Sequence, residues 1–299
     1  MSPVLFSVGK LSIPSVGFFL ALGFLFGVFL IWRLARAWDL DEEKILDLTL
    51  LTSLGGLVGA RVFFALQNPS LFTSFWQIFL INKMPGLSFW GGFLGGWLTL
   101  YIFARRFHSN FWQLADIASV GLLGGLILSS IGCFLGGCNC GTVSKAFFAV
   151  TQEGLIGKRW PVQIIEAVIL SWCLSKLWFQ ATHFHQSGKI ASLGIIFISI
   201  VGLILVPLKQ DRSGLIFLIV LLILGITIYY RIAKQNPIIH LKQIKNFCLG
   251  LITSPQARKM TIQTLSKTWY NQTTLISWKI RDFKKGLRRP NVKLSKRNS

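Results

Sequence analysis

Long apolar stretches broken by short polar segments recur from residue 14 to residue 231, and beyond that the pattern stops. A hydrocarbon core about 30 Å thick takes roughly 20 apolar residues of helix to cross. Seven stretches approach that length, at 14–38, 45–67, 87–104, 115–137, 162–181, 190–207 and 213–231. The pattern predicts an all-α integral membrane protein with seven transmembrane helices. The first stretch is expected to stay in the membrane, because its apolar run from Val16 to Trp32 is too long for a cleavable signal and Arg33 and Arg36 follow the run instead of preceding it. Leu71–Ile81 is too short to span, and reads either as a helix lying in the outer interface or as a plain hydrophobic loop.

Composition agrees: at 53% hydrophobic and 14% charged, the 299 residues hold too little polar surface to cover a soluble globule. A soluble enzyme, a disulfide-built secreted module and a disordered chain are all excluded. The formal charge of +21 is unevenly placed. Residues 1–230 carry 15 basic and nine acidic residues, whereas 231–299 carry 16 basic residues and the single acid Asp282. This divides the chain into a membrane domain, 1–231, and a basic tail, 232–299. The tail spaces Trp269, Tyr270, Trp278 and Phe283 among its cations. That suits anionic lipid headgroups, at up to about 1 kcal/mol per basic residue, better than nucleic acid. Basic residues in the loops nearly balance across the spans, so the tail decides the orientation: amino terminus outside, carboxyl terminus cytoplasmic. No internal repeat points to a transporter built from inverted halves.

Charge inside a bilayer costs roughly 2.5–3.5 kcal/mol, so each ionisable residue in a span needs a reason. Asp47 and Asp116 open the second and fourth spans and read as helix-start residues favoured by the macrodipole. Arg61 follows a glycine-rich run in the second span, and Glu166 lies a turn inside the fifth. They are either an internal ion pair, residues near the outer interface, or site residues. Glycines cluster at Gly91-Gly92 and Gly95-Gly96, at Gly121 and Gly124-Gly125, and at Gly132, Gly136, Gly137 and Gly141. Small residues three or four apart chiefly allow close helix approach. The block from Ser130 to Gly141 is dense enough in small residues to end or kink a helix. Its thiols, Cys133, Cys138 and Cys140, match no common zinc spacing, so no metal or cofactor is expected and the cysteines read as buried packing residues.

Four stretches carry a resemblance to the prolipoprotein diacylglyceryl transferases: Leu40–Arg61, Ser88–Arg106, Gly132–Cys138 and Arg159–Glu166. The resemblance covers about residues 10–231, and the family's seven-span count matches. It implies a bacterial plasma-membrane enzyme that moves diacylglyceryl from phosphatidylglycerol to a prelipoprotein's lipobox cysteine. By that resemblance Glu166 and Arg61 are catalytic. Arg159, Gln163, Lys209 and Arg212 bind the lipid phosphate, and Gly91, Gly92, Gly132, Cys133 and Cys138 are motif residues. The sequence also departs from the family pattern. Trp90 stands where the family has histidine, Ser129-Ser130 where it has a signature arginine, and Gly202 and Val206 where it has an arginine and a glutamate. All four histidines fall on the cytoplasmic side, so none is expected to act as a base. An inactive relative that still binds phospholipid or lipobox peptide is the alternative reading, and a small-molecule channel a third.

Overall fold

The computed structural model describes residues 4–8, 11–71, 86–147, 149–151, 157–183, 185–210, 212 and 214–233, with seven separate positions between 263 and 281. The chain divides into two compact units, Met1–Gln235 and Asn236–Ser299. In the second, the described residues are helical, and hydroxyls bond to carbonyls of the preceding turn, Ser266 to Gln263 and Thr274 to Tyr270. Tyr270 apart, the tail aromatics lie outside the described residues, as do His240 and all of 71–81 except Leu71.

The first unit opens with an antiparallel hairpin, β1 (Val4–Val8) and β2 (Leu11–Pro14). Seven α-helices follow among the described residues: α1 (Ser15–Ala37), α2 (Glu42–Gln67), α3 (Phe89–Arg106), α4 (Phe111–Gly136), α5 (Val162–Ala181), α6 (Lys189–Leu205) and α7 (Leu215–Ala233). Strands β3 (Val150–Thr151) and β4 (Lys158–Arg159) lie between α4 and α5. The hairpin was not expected, since strands this short leave no period-two signature. Six of the helices are long and apolar enough to cross a membrane. The exception is α3, whose 18 residues include glycine pairs, two tryptophans and the terminal Arg105-Arg106.

Two helix starts differ from expectation. Asp41, not Asp47, caps α2: its carboxylate accepts from the Lys44 amide at 3.3 Å, and bonding to Lys44 holds the carboxyl below its usual pKa. Asp116 does act on a helix terminus, but on that of a neighbour. It is fully buried and accepts from the amides of Gly188 and Ala191, both at 2.6 Å, at the start of α6. The N-cap of its own helix, α4, is Asn110, which accepts from Trp112.

Glycine sets how the helices meet. α1 packs on α4 and α2 on α3, and in both seams pairs of glycines four apart face each other. A Cβ at Gly27 would lie 2.8 Å from the Gly121 carbonyl oxygen, and one at Gly95 2.6 Å from that of Gly55. Such seams replace the hydrophobic drive that lipid removes with close van der Waals contact. The buried apolar residues form two clusters. One, around Leu34, Ile117, Leu177 and Ile190, fills the end of the bundle where α1 and α5 finish. The other, around Leu123, Val162, Leu170, Val201 and Leu205, lies beneath the opposite end. Outward faces stay apolar: Leu25, Phe29, Leu54, Val168, Ile216 and Ile223 are all exposed, as a lipid solvent allows.

Overpacking a filled seam costs typically about 1–3 kcal/mol. Gly59→Val and Gly95→Val should each lower the thermal unfolding midpoint in detergent. Gly92→Ala, whose new methyl meets Ala60 at an ordinary 3.5 Å, should leave it nearly unchanged. Equal effects at all three positions would show that the seam is loose.

Candidate active site

The small-residue block ends α4 as expected. Gly137 takes a φ of 75°, the left-handed conformation that closes many helices, and Asn139 follows at 52°. The expectation for the cysteines needs correction. Cys133 and Cys138 are joined in a disulfide, so they are not packing thiols, although Cys140 and Cys173 remain free. The bond ties the last turn of α4 to the loop just beyond it, and with so short a closed loop its contribution to global stability is small, about 2 kcal/mol on chain-entropy grounds. Its main effect is local geometry.

Past the disulfide, residues 141–143 run between two partners. On one side Gly141 pairs with Lys209, and the Thr142 amide donates to the Leu208 carbonyl at 2.8 Å. On the other, Val143 pairs with Arg159, the Ser144 amide donates to Lys158 and the Trp160 amide to Thr142. The far edge of β4 pairs with β3, Val150 opposite Arg159. The result is a miniature sheet at the α4–α5–α6 end of the bundle, with Arg159 at its centre and Lys209 at its edge.

Four of the expected site residues gather here. Arg159 is 9% exposed; one Nη donates to the Gly141 carbonyl at 3.1 Å and to Gln210 Oε1 at 2.9 Å. Gln163, on the first turn of α5 and 1% exposed, donates to the Cys138 carbonyl at 2.6 Å. Lys209 meets Glu166 at 3.3 Å, each about one-fifth exposed. Among the described residues, Arg159 Nε and Gln163 Oε1 are buried without a hydrogen-bond partner. A donor and an acceptor left in that state each forfeit about 1–3 kcal/mol until a ligand or water meets them.

The other expected residues have different surroundings. Arg61 is buried on the α2–α3 side, where it donates to the Gly86 carbonyl at 3.0 Å and lies against the Phe64 ring. Arg212 is exposed. Gly91 and Gly92 belong to the α2–α3 seam, and Gly132 to that of α4 with Phe19 of α1. Trp90 stacks on Phe217 of α7, with ring centres 5.1 Å apart. At Gly202 a Cβ would come within 2.6 Å of Leu218, so α7 fills the space an arginine side chain would need. His185 lies at the opposite end of the bundle, against Trp38 and 3.7 Å from Asp116. Gln210 was missed by sequence reasoning: a polar residue in a loop gives no signal until its partner is known.

Through the bundle itself runs an apolar cavity of about 440 Å³, lined by α1, α2, α3, α4 and α6 from Phe89 and Ser129 at one end to Ile45 and Leu114 at the other. Thr52, whose hydroxyl is buried without a partner among the described residues, lines it too.

Residues 3–231 match the model of the family described as prolipoprotein diacylglyceryl transferase. The chain belongs to that family. A phosphatidylglycerol–prolipoprotein diacylglyceryl transferase of Rickettsia rickettsii (strain Sheila Smith) is 28% identical over 256 residues, covering 79% of this chain and 98% of the relative. One of the same name from Deinococcus radiodurans is 35% identical over 166 residues, 54% of this chain and 47% of the relative. Another, from Dehalococcoides mccartyi (strain CBDB1), is 24% identical over 261 residues, 79% and 96%. In this member of the diacylglyceryl transferase family, the sheet and its ion pair are built within the matched region, and 232–299 lies beyond it.

Arg159→Ala takes the guanidinium from a buried carbonyl, which costs about 1–3 kcal/mol. It should lower the unfolding midpoint more than Gln210→Ala, whose side chain starts out exposed. The reverse order would mean that Gln210, not Arg159, holds the sheet together.

Proposed function

We infer that the chain is a phosphatidylglycerol–prolipoprotein diacylglyceryl transferase, and that the transfer site is the miniature sheet with its Lys209–Glu166 pair. The observation that carries this reading is a carboxylate and two cations, Glu166, Lys209 and Arg159, brought together from three separate segments of a chain that belongs to the family. In the reaction the lipobox sulfur bonds to the glyceryl carbon of the phospholipid, the carbon–oxygen bond to phosphate breaks, and glycerol phosphate leaves. Glu166 takes the thiol proton. Lys209 and Arg159 hold the phosphate, whose negative charge grows as it departs, and preorganised cations lower the barrier most where charge develops. Gln163 Oε1 and Arg159 Nε offer an acceptor and a donor to the headgroup. Arg61 and Arg212 supply longer-range positive potential, and the apolar cavity takes acyl chains.

The proposed topology has seven spans, with α3 crossing alongside α2 in their glycine seam. Arg33, Arg36, Lys44, Arg105, Arg106 and Lys189 lie at the ends of α1 and α3 and the starts of α2 and α6. The sheet end carries about as many cations, so the basic tail decides by the positive-inside rule. α7 ends beside the start of α6, where Ile232 meets Gly188, which makes that end cytoplasmic and the miniature sheet outer-facing, in a bacterial plasma membrane. The tail is proposed to attach to anionic headgroups.

A second reading, a relative that binds phospholipid without turning it over, is favoured by Trp90 stacked on Phe217 and by Leu218 closing the space at Gly202. Purified protein given phosphatidylglycerol and a lipobox peptide separates the two. The transferase reading expects thioether-linked product that falls by about 10²–10³ in Glu166→Gln or Lys209→Met, and far less in Arg212→Ala. Saturable lipid binding with no product establishes the second reading instead.

A further inference from the structure

The disulfide stands where the site is hung. From Cys138 onward, consecutive backbone groups hold its parts: the Cys138 carbonyl receives Gln163, the Cys140 carbonyl receives the Gln210 amide at 3.1 Å, and the Gly141 carbonyl receives Arg159. The next residue pairs with Leu208 on one side and Trp160 on the other. All these contacts begin at one half-cystine. The other, Cys133, lies in the last turn of α4, flanked by Gly132 and Gly136, where an added Cβ would run into Phe19 and Val16 of α1. One sulfur is therefore fixed to the bundle and the other to the loop. Between them the backbone bends through Gly137 at a φ of 75°, and the residue just past Cys138, Asn139, holds a φ of 52°, a conformation less favourable for a residue with a Cβ. Both half-cystines are partly exposed.

We propose that the Cys133–Cys138 disulfide is a positioning brace for the Arg159–Gln163–Lys209 cluster, so that the site is assembled in the oxidised chain and opened by thiol reductants. The proposal rests on the transferase reading for its activity readout and on the loop geometry alone for its structural one. Opening needs a dithiol. One of its thiolates attacks a sulfur of the disulfide, the sulfur–sulfur bond breaks and the other cysteine leaves as a thiolate. The dithiol's second sulfur then attacks the mixed disulfide and frees the remaining cysteine. Two electrons and two protons pass to the protein, and the dithiol becomes a cyclic disulfide.

The full-length chain in detergent, poised across a series of dithiothreitol redox buffers, tests this by three readouts: titratable thiols, amide hydrogen exchange and transfer kinetics. Two thiols should appear on reduction. Exchange should quicken in peptides covering 138–144 and 158–163, while peptides across the α1–α4 seam keep their protection. With phosphatidylglycerol and a lipobox peptide, kcat/KM should fall by about tenfold to a hundredfold, mainly through KM for the lipid, with the same midpoint potential as the thiols, and return on reoxidation. Cys133→Ala/Cys138→Ala should behave as the reduced chain at every potential. Unchanged exchange at 138–144 once both thiols are titratable would overturn the proposal, as would their failure to appear at any potential the fold survives. Faster exchange with no product in either redox state would support the brace and count against the transferase reading.

Discussion

A guanidinium buried at the end of a helical bundle has to find acceptors within the protein, and this requirement organises the sheet end of the molecule. Arg159 meets it by drawing on the loop after α4 through Gly141 and on the segment after α6 through Gln210. Those two contacts join three parts of the chain far apart in sequence. Once they are joined, Lys209 meets Glu166 of α5. The cluster beneath, with Val162 and Leu205 at its top, fixes the floor on which the sheet sits.

The bundle supporting this is held by shape more than by polar contacts. Matched glycine pairs bring α1 onto α4 and α2 onto α3, and between the two seams a long apolar space remains. Seams of this kind concentrate stability in a few close approaches and leave acyl-sized room elsewhere. A reaction on a lipid needs that combination: a charged end for the headgroup and apolar room for its acyl chains. At that end α7 packs Phe217 on Trp90 and Leu218 against Gly202, and β4 and the segment after α6 carry the cations Arg159 and Lys209.

The helices were largely legible because lipid imposes a single rule, an apolar run of sufficient length, and α1, α4, α5, α6 and α7 obey it within a few residues. α3 obeys it poorly, since its glycines pack on α2 and its tryptophans on α7 and α4, and the hydropathy suffers. At the site, residue type was legible and partnership was not. Glu166 stood out as charge inside a span and Lys209 was named through the family resemblance, but a pairing across 43 residues leaves no local mark. The same holds for Asp116, whose position at the start of α4 hid its role at the start of α6. The Cys133–Cys138 bond was read as packing because a five-residue separation beside a third cysteine points to no one pairing.

Headgroup chemistry is proposed to take place at the miniature sheet. The most direct test is photocrosslinking in membranes with a phosphatidylglycerol analogue that carries its reactive group on the headgroup, followed by mapping of the labelled peptides. Adducts are expected at 141–143, 158–163 and 209–212, competed away by unmodified phosphatidylglycerol. Competed adducts confined to the region of Trp38 and His185 at the other end of the bundle would contradict it.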